Sequence, residues 1–387
     1  MSGPPSPGPS SDGRGPASPL PTEMLRPPFE PPDGEAGGGE TFSLKPVGVW
    51  VAVVMLIGVA LSVLMPGAGS RPATPRAMCG AKLAQLGHAL HNYHDTFRRF
   101  PPATLPQRCA KAPTPGGESW VYSWRVAILP QIEQRPLYDE IITSHAPDGP
   151  PAWPDEPWEG WQEEIGLFVC PSDEGIPGPP AAPFGRASYR VCVGTRARYL
   201  DATPSDPGRC SGTILPRGNA TLADIADGTS NTLLLGEARL GDASVGRDAG
   251  NVELGLGPVA DTDEDESAYV DRCLALSVNG AGRTFASPGN KAVGTLMPGA
   301  RWQDGQLHFS AFTAHLPPNS INCQERWDAR GTGITSLGSR HKEGVNVAFA
   351  DASVHFVHER VDLTAYRALA TRAEGDDTSR WETIPRP

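Results

Sequence analysis

The sequence predicts an α+β chain in which an N-terminal transmembrane helix continues into an amphipathic helix packed on a β-rich antiparallel head. Three observations predict it. Residues 47–65, VGVWVAVVMLIGVALSVLM, form an uncharged apolar run. Leu83, Leu86, Leu90, Tyr93 and Phe97 then recur at spacings of three and four, one apolar stripe of a helix. Beyond them come short alternating runs, YRVCVGT, LALSV, VNVAFA and SVHFV, set among Gly- and Pro-rich connections, the pattern of antiparallel strands.

Taken in order, residues 1–45 are expected to form a disordered tail. Eleven Pro and eight Gly fall within residues 1–40, and so polar a stretch buries too little surface to offset its ordering entropy. From Pro46 to Ser70 there is no charged residue, and the apolar run matches the ~20 residues that a bilayer crossing requires. Residues 46–66 are therefore expected to span a membrane. A cleaved signal peptide would carry a shorter apolar stretch, ~7–15 residues, behind a short basic start. The nearby cations are Arg26 and Lys45 on one side and Arg71, Arg76 and Lys82 on the other, a near balance that slightly favours the C-terminal side inside. The amphipathic helix, over about 76–98, stops before Pro101 and Pro102, which cannot continue it. Residues 72–387 make the head. Within TLADIADGTSNTLLLGEA the expectation is a helical turn, a chain turn at Asp227 and Gly228, and a buried strand ending at Glu237.

The whole chain has 387 residues, 39% of them hydrophobic, enough for a substantial core. Forty-four acidic against 33 basic residues give a net charge of -11, which argues against nucleic acid as a partner because phosphate binding needs a dense Lys/Arg surface. The seven cysteines are scattered without a C-x-x-C pair, so zinc-ribbon and thioredoxin-like spacings are absent. Disulfides remain open to a chain outside the cytosol.

Candidate chemistry is sparse. In SRHKEGVNVAFADASVHF, His341 stands ten positions before Asp351. If the segment between them is extended at ~3.3 Å per residue, the two lie on the order of 30 Å apart and share neither a proton nor a metal. They are expected to mark the ends of a hairpin, with a two-residue connection at Asp351–Ala352 that puts Val345, Val347, Phe349, Val354 and Phe356 on one face. Ala352 would then occupy a position that prefers glycine. His91, His94 and Asp95 share a helix face and are metal candidates, with packing against the head as the preferred reading. Asp261, Asp263 and Asp265 mimic the first ligands of a calcium loop, but Glu266 and Arg272 replace its obligatory Gly and Glu, which excludes an EF-hand. A looser calcium site or a solvated acidic loop remains. Glu237 ends an apolar run, and a structural role is preferred over a catalytic one. There is no G-x-S-x-G elbow and no phosphate loop, so no catalytic residue, metal or cofactor is assigned.

Six stretches carry a family resemblance: LAQLGHALHNYHDTFRRFPP (83–102), YSWRVAILPQIEQRPLYDE (122–140), FVCPSD (168–173), DGTSNTLLLGE (227–237), LPPNSINC (316–323) and HKEGVNVAFADASVHFV (341–357). In this order they resemble the large planctomycete family of pseudopilin-like proteins of unknown function, marked by a His-x9-Asp-Gly motif near the C-terminus. The motif positions are His341, Gly344 and Asp351 here, with Asp227, Gly228 and Glu237 in the preceding block. The resemblance implies a pseudopilin-like head and a single-pass anchor in the inner membrane, with the N-terminus in the cytoplasm and the head in the periplasm. In GGETFSLKPVGVW, Thr41 stands where such chains have the cleaved Gly and Pro46 where they have Glu, so prepilin-type processing is not expected. The function it implies is an envelope protein acting by assembly, with copies of itself or with envelope partners. The alternative is an anchored hydrolase or metal-dependent enzyme.

Overall fold

Thr74 starts the first helix. Its hydroxyl accepts a hydrogen bond from the Ala77 N–H, and Pro75 takes the first helical position, where a missing N–H costs nothing. Helix α1 runs Pro75–Phe97 and ends where Arg98 turns left-handed at φ 58°. In the computed structural model it is the first element of the described residues, which are 74–106, 120–143, 150–151, 154–173, 184–197, 210–241, 250–259, 263–287, 289, 291–327, 332–378 and 381–382. These lie within one compact unit, Arg71–Pro387. The tail at 1–45 and the span expected at 46–66 fall outside them. Among the described residues, no helix is long and apolar enough to cross a membrane.

The strands are β1 Thr104–Pro106, β2 Trp120–Ser123, β3 Tyr189–Cys192, β4 Leu233–Glu237, β5 Val252–Glu253, β6 Ala311–Phe312, β7 Asn322–Gln324, β8 Gly333–Ile334, β9 Gly344–Phe349 and β10 Val354–His358. The longer helices after α1 are α2 Arg135–Thr143, α3 Asp263–Ala275 and α4 Leu363–Leu369. A five-stranded sheet in the order β10-β9-β4-β3-β6 organises the molecule, antiparallel throughout except for the parallel pair β3 and β6. The chain is thus an α+β protein. Helix α1 covers one face of the sheet. Its buried residues Cys79, Leu83, Leu86, Ala89 and Leu90 join Tyr189, Val191, Leu235 and Ala348 in the main core, with Trp124, Trp161 and Trp302 behind them. Helix α4 covers the other face, where Tyr366 and Leu369 meet Val345, Val347 and Phe349. A central strand covered on both sides should be apolar on both sides, and every residue of β9 is buried. Helix α3 packs with β7 and β8 in a separate cluster.

The hairpin of β9 and β10 forms, but its faces differ from expectation. Phe349 N–H donates to Ser353 O, and Ala352 N–H donates to Phe349 O, each at 2.9 Å, so three residues connect the strands instead of two. That is a turn followed by a left-handed residue, and Ala352 has φ 65°. The extra residue moves the register by one, which reverses the face of every side chain beyond it. Val354 and Phe356 therefore pair with Ala348 and Asn346, while Val357 pairs with Val345.

Ala352 is strained because a left-handed residue brings Cβ close to the following carbonyl. Its methyl also faces α1, where a Cβ added at Gly87 would lie 3.0 Å from Ala352 Cβ. Replacing Ala352 by Gly is expected to stabilise the chain by a few tenths to ~1 kcal/mol, with the lost methyl contact subtracting from the relieved strain. The midpoint of denaturant unfolding measures it. A lower midpoint would mean that the contact with Gly87 outweighs the strain.

Two other expectations are corrected. LALSV is not a strand: it holds the last turn of α3 and the start of a 3-10 turn at Val278–Gly280. The acidic run is not a loop from Asp263 onward, because α3 begins there. Asp263 and Asp265 thus belong to a helix and not to a loop. Asp261 lies outside the described residues.

Candidate functional site

Glu237 is the last residue of β4, buried with 1% exposure. A carboxylate so enclosed needs partners, and the neighbouring strand supplies them. Asn346 in β9 donates its backbone N–H to Glu237 Oε2 and its side-chain Nδ2 to Glu237 Oε1, both at 2.7 Å. Asn346 Nδ2 also reaches Arg76 O at 3.2 Å, which ties the first turn of α1 to the same point. His341 completes the set, with Nε2 3.2 Å from Glu237 Oε1. Its ring is nearly enclosed, with 6% of the side chain exposed.

The loop before β9 is itself pinned. Ser339 Oγ donates to Gly344 O and accepts from His341 N–H, and Arg340 Nε donates to Asp173 Oδ1 at 2.9 Å. Burial raises the Asp173 pKa, and the Arg340 guanidinium opposes that rise. Gly344 is required by close approach: a Cβ there would sit 2.3 Å from Val357 O.

The far side of the imidazole meets the segment 168–173. Ser172 Oγ lies 3.4 Å from His341 Nδ1, and Cys170 Sγ lies 3.8 Å from Nε2. Cys170 is disulfide-bonded to Cys79 in the first turns of α1. The cluster is therefore an imidazole between a carboxylate, a hydroxyl and a disulfide. The atoms of Cys79, Cys170, Glu237 and His341 that can ligate a metal lie within 4.8 Å of one another. Ser172, His341 and Glu237 stand in the order of a Ser–His–carboxylate relay, but the serine contact, at 3.4 Å, is long for a hydrogen bond. A second disulfide joins Cys273 in α3 to Cys323 in β7. Cys192 and Cys210 are buried free thiols, pushed up to about 12 and about 11 by desolvation, and are inert as nucleophiles.

The other sequence candidates are placed apart from this cluster. His91 Nε2 donates to Ala350 O at 2.8 Å, and His94 Nε2 accepts from Leu222 N–H at 3.3 Å, so both rings fasten α1 to the head. Burial lowers the His94 pKa. Asp95 is exposed. Asp227 accepts the backbone N–H groups of Glu374 and Gly375, and Gly228 supplies the turn at φ 95°. Asp351 sits in the hairpin connection, accepting Ser353 N–H at 2.9 Å. His341 and Asp351 thus lie beyond opposite ends of β9 and share no contact.

Sequence reasoning did not find Cys79, Cys170, Ser172 or Asn346. One signal for Asn346 existed, since an amide in the middle of the apolar run VNVAFA is a buried polar group that demands a partner.

Residues 70–364 match the family described as a protein of unknown function (DUF1559). No curated protein and no solved structure matches the chain.

Proposed function

The chain belongs to that family of unknown function, DUF1559, and from this premise we propose that it is a membrane-anchored envelope protein with a pseudopilin-like periplasmic head that acts by association with other proteins. The carrying observation is the pair of disulfides, Cys79–Cys170 and Cys273–Cys323. Such bonds persist in oxidising compartments and are rare in the cytosol. The first of them begins fourteen residues after the apolar run that ends at Met65, so the head starts oxidised soon after an apolar stretch of membrane-spanning length. The N-terminus is then cytoplasmic and the inner membrane holds the chain through residues 46–66. A long N-terminal helix on an antiparallel sheet suits a pilin-like head. The imidazole and carboxylate of the central cluster are engaged with each other and with Asn346, which suits a structural clasp better than catalysis. Partners are identical copies or envelope proteins. Pro46, where pilins carry a Glu that helps neighbours dock, favours small assemblies over an extruded filament.

The test is thiol mapping in intact cells. A membrane-impermeant maleimide, followed by denaturation and a second label without reduction, is expected to leave Cys79, Cys170, Cys273 and Cys323 unmodified in chain extracted from membranes. Cys192 and Cys210 should react only after denaturation. Crosslinking of the same cells should trap small oligomers or a second protein. Recovery of the chain from the soluble fraction with Cys79 and Cys170 labelled would overturn the proposal.

A further inference from the structure

We propose that the clasp has two closed states: a disulfide when oxidised, and, once reduced, a Zn2+ site formed by Cys79, Cys170, Glu237 and His341. The four side chains come from α1, the segment after Phe168, the end of β4 and the loop before β9, so they converge only in the fold. They supply two sulfurs, one imidazole nitrogen and one carboxylate oxygen, the donor types of tetrahedral zinc. Around a zinc ion with bonds of ~2.0–2.3 Å the donors stand ~3.3–3.8 Å from one another. Two edges already match, Cys170 Sγ to His341 Nε2 at 3.8 Å and His341 Nε2 to Glu237 Oε1 at 3.2 Å. All four donor atoms lie within 4.8 Å of one another; the bonded sulfurs stand closer than two zinc ligands would, and their separation is what reduction releases.

A second shell is in place as well. Metal-bound imidazoles usually donate their other N–H to a nearby oxygen, and Ser172 Oγ lies beside His341 Nδ1. Ligating carboxylates are held by hydrogen bonds, and Asn346 grips both oxygens of Glu237. His341 Nε2 turns from donor to ligand by moving its proton to Nδ1. With the four donors nearly enclosed, with exposures of 0% to 2% for Cys79, Cys170 and Glu237, thiolates left there without a cation would be costly.

The chemistry balances with a phosphine or a dithiol as the two-electron reductant. The S–S bond breaks, two protons are taken up and two thiols form, while a phosphine becomes its oxide at the expense of water and a dithiol becomes its own disulfide. Zn2+ then displaces both thiol protons. Oxidation by a disulfide-forming catalyst reverses the exchange and expels the metal. The inference does not depend on the association role, since it concerns the chain itself.

The experiment uses the full chain in detergent, reduced by a phosphine in denaturant and refolded under it, with Co2+ as the spectroscopic probe and Zn2+ as competitor. One equivalent of Co2+ is expected to give the visible absorption of a tetrahedral site with a thiolate charge-transfer band, and equimolar Zn2+ should bleach it. The oxidised chain should give neither. Cys170→Ser should roughly halve the charge-transfer band, and His341→Ala should weaken Co2+ binding by at least 10-fold, while the double variant Cys273→Ser, Cys323→Ser keeps the full spectrum. A folding control is internal, because one equivalent of Zn2+ should raise the Tm of the reduced chain and leave that of the oxidised chain unmoved. Equal binding by the oxidised chain, a spectrum that survives Cys170→Ser unchanged, or a reduced chain whose Tm ignores Zn2+ overturns the proposal.

Discussion

Replacing Glu237 by Ala is expected to destabilise the chain by ~3–5 kcal/mol, the range for removing one member of a buried polar network. The change deletes the acceptor of three donors at once, Asn346 N, Asn346 Nδ2 and His341 Nε2. Each orphaned buried donor costs ~1–3 kcal/mol. Asn346 Nδ2 retains Arg76 O, so the sum falls short of three full penalties. Glu237→Gln should cost less, ~1–3 kcal/mol, because one oxygen still accepts while the new NH2 faces a donor. The measurement is the denaturant midpoint of the full chain in detergent, with the unfolding slope checked for constancy. If Glu237→Ala cost no more than an ordinary surface change, ~0.5 kcal/mol, the carboxylate would not be holding β4, β9 and α1 together.

The same network shows what a sequence can and cannot disclose. Helix α1 was legible because its apolar period and its Pro boundaries are local. So was the strand β9, and so was the buried strand ending at Glu237. The faces of the hairpin were not, since they turn on a single residue in the connection: whether Ala350 pairs across the hairpin or belongs to the turn reverses every side chain of β10. The site was less legible still. Residues 79, 170, 237 and 341 share no spacing, and each taken alone has an ordinary explanation. In the sequence the motif neighbour of His341 is Asp351, whereas the fold sets it against Glu237 and Cys170, more than a hundred positions away. What ties these residues is the β4–β9 pairing and the passage of α1 across it. Those are tertiary facts, and the periodicity of one segment holds no trace of them.

Breaking the Cys79–Cys170 bond should be at least as costly. In the chain-entropy model, closing a loop of this size, with a sequence separation of 91, stabilises by about 4–5 kcal/mol. The separation of 50 between Cys273 and Cys323 gives about 0.5 kcal/mol less, because the cost grows only with the logarithm of loop length. Entropy alone therefore barely distinguishes the two bonds, and what differs is the structure each one holds. Cys79 lies in the first turns of α1, beside the Arg76 carbonyl bonded to Asn346 and the Cys79 carbonyl that accepts from Tyr189 Oη at 3.2 Å. Cys79→Ser paired with Cys170→Ser, measured with a chelator present, is expected to lower the unfolding free energy by ~4–5 kcal/mol and to expose amides of residues 77–82 to hydrogen exchange before the rest of the head opens. The pair Cys273→Ser, Cys323→Ser should lower it comparably while leaving those amides protected. Equal early exchange at the start of α1 in both pairs, or a loss below 1 kcal/mol in the first, would show that sheet packing and not the covalent bond fixes the start of the helix.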